Sequence, residues 1–426
     1  MITIDPVARA LVPADSAAAA AFGAPNYDEF QSDREVWELI RAQPDSLLRV
    51  TMAHCDAPSP DRIGKADSDA ALDRAAANMA RLREDRRTRV ERNVLWVYEI
   101  TTPSRPDEPQ IGLGGMARTG EIRTPDNPAG AIIRNEGIRE AKARGRATLI
   151  QRIEAIVDCV NNAVDDDAGN LQRALERHAV SRPPSYETSD PAGSRHRVWI
   201  VRDPTEIERF RELLRAEPRA YVADGNHRSA AAAMLGYRHF LAVFFPARTM
   251  RISPYNRLVK QGASGVAGPF QRGDRRRRTD GLGRALANNF EVQAWNGQGA
   301  FQPTRTHEIG LYDGAGWTVL RPRPSAYDPA DAAQDIDADI VQRRLFADGL
   351  GIDDSREERI NYVGGNRGPD WLQAQVDAGR FDLAVTLPAV TMDQFIRVCV
   401  QDRMMPPKST WFEPKVLSGL VMALLD

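Results

Sequence analysis

The stretch Tyr221-Val222-Ala223-Asp224-Gly225-Asn226-His227-Arg228-Ser229, with the alanine run Ala230–Ala233 behind it, leaves the chain few choices. A short β-type run ends in an acid and a glycine, and strong helix formers follow at once. The segment therefore reads as a strand, a loop and a helix N-terminus. Backbone N–H groups at such a terminus lack helical partners and the macrodipole adds partial positive charge, so an anion is the expected guest. Arg228 adds a fixed charge, and Asp224 offers oxygens to a metal ion or a hydroxyl. A phosphate site is the leading reading. A surface turn whose Asp224 and Ser229 only cap the helix fits the same residues equally well.

Around this element the periodicity alternates between strand and helix. Residues 1–20 are small and alanine-rich and read as an extended lead-in, followed by the turn-rich Ala24-Pro25-Asn26-Tyr27-Asp28. The pattern predicts helices over 33–42 and 69–87 and strands over 46–51 and 94–100. Gly112-Leu113-Gly114-Gly115-Met116-Ala117 matches GxGxxA, but Pro125 and Pro128 follow instead of a helix, so a strand with closely approached backbone replaces a dinucleotide site. From Ile132 a helical reading places Glu136, Arg139, Lys142 and Arg146 at spacings of three and four, on one face at the head of a helix. Asp203-Pro204-Thr205-Glu206 carries the signals of a helix start, with Glu206 at the capping-box position. His239–Phe245 suits a buried strand, and Met250–Lys260 a strand interrupted by Pro254 and Tyr255. A Gly/Arg-rich loop over 262–281 includes Arg275–Arg278 and reads as a solvated segment. Strands at 308–312, 317–321 and 360–364 and a helix near 336–348 give a second α/β unit. The expected domains are therefore 1–298 and 299–426.

Composition narrows the partners. Lys and Arg total 57 against 59 for Asp and Glu, so nothing draws the whole chain to nucleic acid or to an acidic membrane. Cys55, Cys159 and Cys399 are odd in number and in no CxxC or metal-ligand spacing, and they read as reduced core thiols. No window approaches the roughly 18 apolar residues that span a bilayer, and the expected location is the cytoplasm.

Five motifs in order resemble one family. Ala24-Pro25-Asn26-Tyr27-Asp28 is similar to its Ala-Pro-Pro-Tyr-Asp, and Asn135-Glu136 with Lys142 and Arg146 to its His-Glu-x-Thr-x-x-x-Lys-x-x-Asp-Arg. Ala223–Arg228 resembles its Ala-Asp-Gly-His-His-Arg, and Pro254 with Arg257-Leu258-Val259 its Pro-Thr-His-Arg-Leu-Val. The end signature is matched by Met405-Pro406-Pro407-Lys408-Ser409-Thr410-Trp411-Phe412-Glu413-Pro414-Lys415. These resemble the bacterial and archaeal family first catalogued as domain of unknown function 1015, related to the free-serine kinases called SerK, with a ParB/sulfiredoxin-like core.

The resemblance implies an α/β (α+β) nucleotide-binding core with a smaller C-terminal α/β domain. It also implies Mg²⁺, ATP or ADP as donor, and phosphoryl transfer to the hydroxyl of a free amino acid such as L-serine. By matched position Glu136 would be the general base, Asp224 and His227 would join it as catalytic groups, and Asp224 and Glu136 would hold metal. Gly225, Asn226, Arg228, Ser229, Lys142 and Arg146 would bind phosphates. Tyr27, Asp28, Asn135, Arg139, Asn256 and Arg257 would meet the substrate. Asn135, Asn226 and Asn256 stand where the family has histidine, Ile138 where it has threonine and Gly145 where it has aspartate. Asparagine keeps a donor and an acceptor but does not titrate. The expected partners are the small substrate and the nucleotide, without nucleic acid or membrane, and a homodimer is allowed for. The alternatives are a nucleotide-binding regulatory protein and an ATP-dependent ligase working through an acyl phosphate. Lys408 either enters the site or belongs to a structural lock around Trp411 and Phe412.

Overall fold

The structure, a computed structural model, describes residues 1–260 and 281–425. The chain divides into two compact units, Met1–Arg134 with Ile138–Arg251 and Pro414–Asp426, and Asn135–Gly137 with Ile252–Glu413. Both mix helices and strands, as the alternating periodicity predicts. The Gly/Arg-rich loop with Arg275–Arg278 lies outside the described residues, apart from Gly281.

The first unit begins with β1 (Ile4–Asp5), β2 (Val7–Pro13), α1 (Ser16–Phe22), α2 (Asp33–Ala42), α3 (Leu48–Thr51) and α4 (Asp69–Glu84). The long pair β3 (Thr88–Thr102) and β4 (Arg105–Arg118) follows, then β5 (Ile132–Ile133), α5 (Glu140–Ile153), β6 (Ala155–Ile156) and β7 (Val160–Val164). Next come α6 (Asn170–Val180), β8 (Tyr186–Ser189), β9 (Arg195–Val201), α7 (Pro204–Arg215), β10 (Ala220–Asp224), α8 (Asn226–Met234) and β11 (His239–Pro246). The C-terminal strand β20 (Met422–Leu424) returns to this unit and pairs with β2 and β6. The main path of the large sheet runs β5-β10-β7-β11-β4-β3-β2-β20-β6.

Alternation along the strands decides the faces. Leu95, Val97, Leu113, Val160, Val164, Ala220 and Val222 point to one side and bury Leu171 and Leu175 of α6 and Ile207, Phe210 and Leu214 of α7. On the opposite side a Cβ at Gly114 would run into the Trp96 ring. That is the close backbone approach expected of the glycine-rich run as a strand.

The second unit contains β13 (Asn256–Val259), α9 (Leu282–Asn289), β14 (Phe290–Ala294), β15 (Ile309–Tyr312), β16 (Trp317–Pro322) and α10 (Asp337–Ile340). A π-helical stretch Val341–Ala347 and α11 (Asp348–Leu350) continue α10, before β17 (Ile360–Val363), α12 (Pro369–Asp377), β18 (Leu383–Thr386) and α13 (Met392–Val400). Its sheet runs β14-β16-β15-β18-β13-β17, while β12 (Arg251–Ser253) and β19 (Trp411–Glu413) form a separate ladder.

Four expectations change. The alanine-rich lead-in is β2 and the helix α1, because Val7, Ala10, Leu11 and Val12 supply a buried strand next to β3. Residues 46–51 are not a strand: Leu47 and Leu48 are buried side by side, and Thr51 and Met52 donate to their carbonyls at 3.0 and 2.8 Å in a helical turn. The helix expected from Ile132 starts at Glu140, since Ile132 and Ile133 pair in parallel with Ala220 and Tyr221. The boundary expected after residue 298 falls inside the second unit, because β13 is bonded to β17 and β18.

Candidate functional site

The turn from β10 into α8 is a single residue, Gly225, at φ +104°, a conformation that costs other L-residues dearly. It turns the chain so sharply that Asp224 lies one helical turn from Arg228, with Asp224 Oδ1 3.0 Å from Arg228 Nη2. The other oxygen, Oδ2, accepts from Lys415 Nζ at 3.1 Å. All three side chains are largely buried, so the carboxylate gathers two desolvated cations at the N-terminal end of a nine-residue helix. The Arg228 guanidinium also donates to the Cys159 carbonyl. His227 Nε2 accepts the Arg139 N–H at 3.0 Å, which fixes that nitrogen as unprotonated. Ser229 is fully buried and its hydroxyl donates to the Asn226 carbonyl at 3.0 Å, so its proton is committed within the helix.

A second group gathers around the N-terminal half of α5. Tyr27, Lys142 and Arg146 line a cavity of about 660 Å³ together with Thr51, His54 and Lys65. The Arg146 guanidinium stacks 4.0 Å from the Tyr27 ring centroid. Its Nη1 is also 3.9 Å from Asp158 Oδ2, and Asp158 Oδ1 accepts from the Ser418 hydroxyl at 2.5 Å. Tyr27 is placed by a one-turn helix, Tyr27–Glu29, which Asn26 caps while its amide donates to the Val416 carbonyl at 2.9 Å. The Asp28 side chain lies outside the described residues. On the same cavity Asp33 and His54 join Cys55, with their ligand atoms within 4.8 Å of one another, a juxtaposition no spacing in the sequence announces. Burial, and after it the Asp33 charge, pushes the Cys55 thiol up to about 12, and burial does the same to Cys159, so both stay neutral thiols.

Asn135, Glu136, Asn256 and Arg257 belong to the second unit. Glu136 is not on a helix. It sits in an extended segment held by a bridge to Met405, whose N–H donates to the Asn135 carbonyl at 2.9 Å. Arg139 is the cap residue before α5, at φ −85° and ψ 107°, so the helical face shared by Glu136, Arg139 and Lys142 does not form. Asn256 is buried with both ends of its amide engaged: Nδ2 donates to Gln302 at 3.0 Å, and Oδ1 accepts from the Leu387 N–H at 3.0 Å. The Arg257 guanidinium is buried against the Tyr255 and Lys408 carbonyls, and burial pushes its pKa down. These are interior contacts, in which an asparagine serves where a titrating histidine would be a liability.

Sequence reasoning missed Lys415 and Asp158. Lys415 stands in the C-terminal signature, where the sequence singles out Lys408 instead. The structure puts Lys408 at φ +62° with its amine 5.4 Å from the Tyr255 ring centroid, and Lys415 on Asp224. Asp158 carries no local pattern, and only the fold brings it to Arg146.

Among the described residues no helix is long and apolar enough to cross a membrane. Solved structures similar to the chain include a free serine kinase variant in complex with AMP, at 11% identity and TM-score 0.38, covering 66% of this chain and 84% of that one. A conserved hypothetical protein from Pyrococcus furiosus matches at 12% identity and TM-score 0.35, with 66% and 87% covered. SbnI with C-terminal truncation from Staphylococcus aureus matches at 12% and 0.35, with 67% and 80% covered. No curated protein matches the chain. The family model for proteins of unknown function, DUF1015, matches residues 4–345, and the chain belongs to that family.

Proposed function

We propose that the protein is a phosphotransferase that moves a phosphoryl group from ATP or ADP to the hydroxyl of a free amino acid, L-serine or a related metabolite. The observation that carries this reading is the pair of cations, Arg228 and Lys415, gathered on Asp224 at the head of α8. Phosphoryl transfer needs positioning and charge stabilisation more than covalent help. A helix N-terminus with two fixed cations meets that need, because the cations are held in place before the phosphates arrive. Arg146 and Lys142, on the cavity lined by Tyr27, extend the positive surface available to phosphates or to a substrate carboxylate.

Glu136 takes the acceptor's proton in this reading, a role that rests on the sequence resemblance. The hydroxyl oxygen attacks the terminal phosphorus, the bond from phosphorus to the bridging oxygen of the nucleotide breaks, and the hydroxyl proton passes to the Glu136 carboxylate. His227, with Nε2 held by the Arg139 N–H, acts as a neutral hydrogen-bonding group. A divalent cation fits the hard oxygens of Asp224, since a carboxylate that accepts from Arg228 and Lys415 can ligate a metal ion as well. When bound it supplies neutralisation of phosphate charge.

The test is incubation of the purified protein with Mg²⁺, ATP or ADP and a panel of hydroxylated amino acids led by L-serine, read by mass spectrometry. The expected product is the phosphorylated amino acid. Glu136→Gln is expected to lower its rate by about 10²–10⁴-fold, the usual scale of general-base help, with nucleotide affinity unchanged. Absence of nucleotide binding overturns the whole reading, and full activity in Glu136→Gln overturns the base.

A further inference from the structure

Asn161 sits in β7 beside the β10–α8 turn, and nothing in the motifs singles it out. It is 3% exposed, and among the described residues its amide oxygen has no hydrogen-bond partner. An orphaned buried acceptor is destabilising, so an apolar residue would suit this strand better unless something visits that oxygen. The register says what stands opposite. After a bulge at the end of β10, Asp224 is the cross-strand partner of Asn161, which sets the two side chains on one face of the sheet. The same strand and the residue just before it approach the turn at two further points. Cys159 offers its carbonyl to Arg228, and a Cβ on Gly225 would come 3.2 Å from the Val160 Cα.

The neighbouring Asn162 provides an internal contrast. Among the described residues its amide oxygen also lacks a partner, but its register partner is Val222, within the apolar cluster. Asn161 alone of the two faces a carboxylate. A carboxylate and an amide oxygen on adjacent strands are both hard donors, and a small divalent cation takes one or two such protein oxygens and completes its shell with waters and phosphates. We infer that Asn161 is the uncharged oxygen ligand that, with Asp224, holds the divalent cation of the bound nucleotide. This rests on the phosphotransferase reading above. A water molecule would also satisfy the oxygen, and the experiment separates the two.

Mn²⁺ binding in the presence of ADP, followed by the electron paramagnetic resonance of free Mn²⁺, is compared for the unaltered protein, Asn161→Ala, Asn161→Asp and Asn162→Ala. ADP affinity is measured in parallel in chelator. Asn161→Ala is expected to weaken Mn²⁺ about tenfold or more, the scale on which even outer-shell partners act. Asn161→Asp should tighten Mn²⁺, and Asn162→Ala should leave it unchanged. ADP affinity in chelator should be the same in all four. Unchanged Mn²⁺ binding in Asn161→Ala overturns the inference, as does an equal loss of ADP with and without metal. If Asn161→Ala fails to fold, Asn161→Asp carries the test, and unchanged or weaker Mn²⁺ binding in that variant overturns the inference. Failure of the unaltered protein to bind ADP at all instead defeats the phosphotransferase reading, and this inference with it.

Discussion

The β10–α8 turn and the Arg134–Arg139 segment carry the two halves of the proposed chemistry, and they are built in opposite ways. At the turn nearly every determinant is local. A strand runs into Asp224, Gly225 supplies the positive φ, and Arg228 falls one helical turn beyond the acid it meets. Along Arg134–Arg139 almost nothing is local. The spacing of Glu136 and Arg139 suits a helix, but β5 pairs with β10, Met405 bonds the Asn135 backbone, and the chain stays extended until Glu140. Charge spacing is a weak determinant, worth some tenths of a kcal/mol per pair on a helix. A strand partner from far along the chain outweighs it.

The largest effect that sharpens this contrast is expected from Asp224→Ala. The substitution strands Arg228 and Lys415, both largely buried, without the anion they share. Breaking such a group costs about 3–5 kcal/mol, which urea unfolding would read directly. A loss below about 1 kcal/mol would mean that the cations are solvated and that the turn is not the organised centre described above. The two glycines come next. Gly225→Ala forces a side chain into φ +104° with Arg228 Nε 3.0 Å from the new Cβ, and should cost about 1–2 kcal/mol. Among the described residues Gly137 has nothing within 4 Å of the position a methyl would take, and it has no positive φ, so Gly137→Ala should be neutral or stabilising, by up to about 1 kcal/mol. Thermal melts of the pair that came out equal would break the distinction between the segments.

The same contrast explains what the sequence could convey. The 221–236 element is legible because its fold is written within fifteen or so residues, in Gly225 and the alanine run. The helix start at Asp203 is legible for the same reason, with the Asp203 carboxylate accepting from the Glu206 N–H at 2.9 Å. Even there the Glu206 side chain goes elsewhere, to His178 at 2.6 Å, because α6 packs beside it. The strand β2 within 1–20 is not legible, since Val7–Pro13 says little until β3 and β20 flank it. Within the candidate site, Arg228 and Arg146 can be picked from their motifs. Asp158, Asn161 and the choice of Lys415 over Lys408 cannot, because each is defined by what the tertiary fold sets beside it.

The smallest predicted effect sets the two units against each other through their histidines. In the first unit His178 and His196 are buried, and burial holds both below the ordinary imidazole value despite Glu206 and Asp190 beside them. The folded state keeps them neutral while the unfolded chain takes the proton first. Their contribution is complete above about pH 6.5 and is lost as pH falls through that value. In the second unit His307 is raised, chiefly by its hydrogen bond to Asp337, with Asp335 adding to it. Its contribution is complete below about pH 6.5 and is lost as pH rises through its elevated value. Each group changes stability by at most about 1.4 kcal/mol per pH unit. Hydrogen exchange, corrected for the intrinsic rate and followed at about pH 5.5 and about pH 8 on either side of the ordinary imidazole value, should therefore show opposite trends. Protection of α6 and α7 should rise with pH, while protection of β15 and α10 should fall. Parallel trends in both units would mean that His307 is not charged in the folded state, and that the contrast between the buried pair His178 and His196 and the carboxylate-bound His307 does not hold.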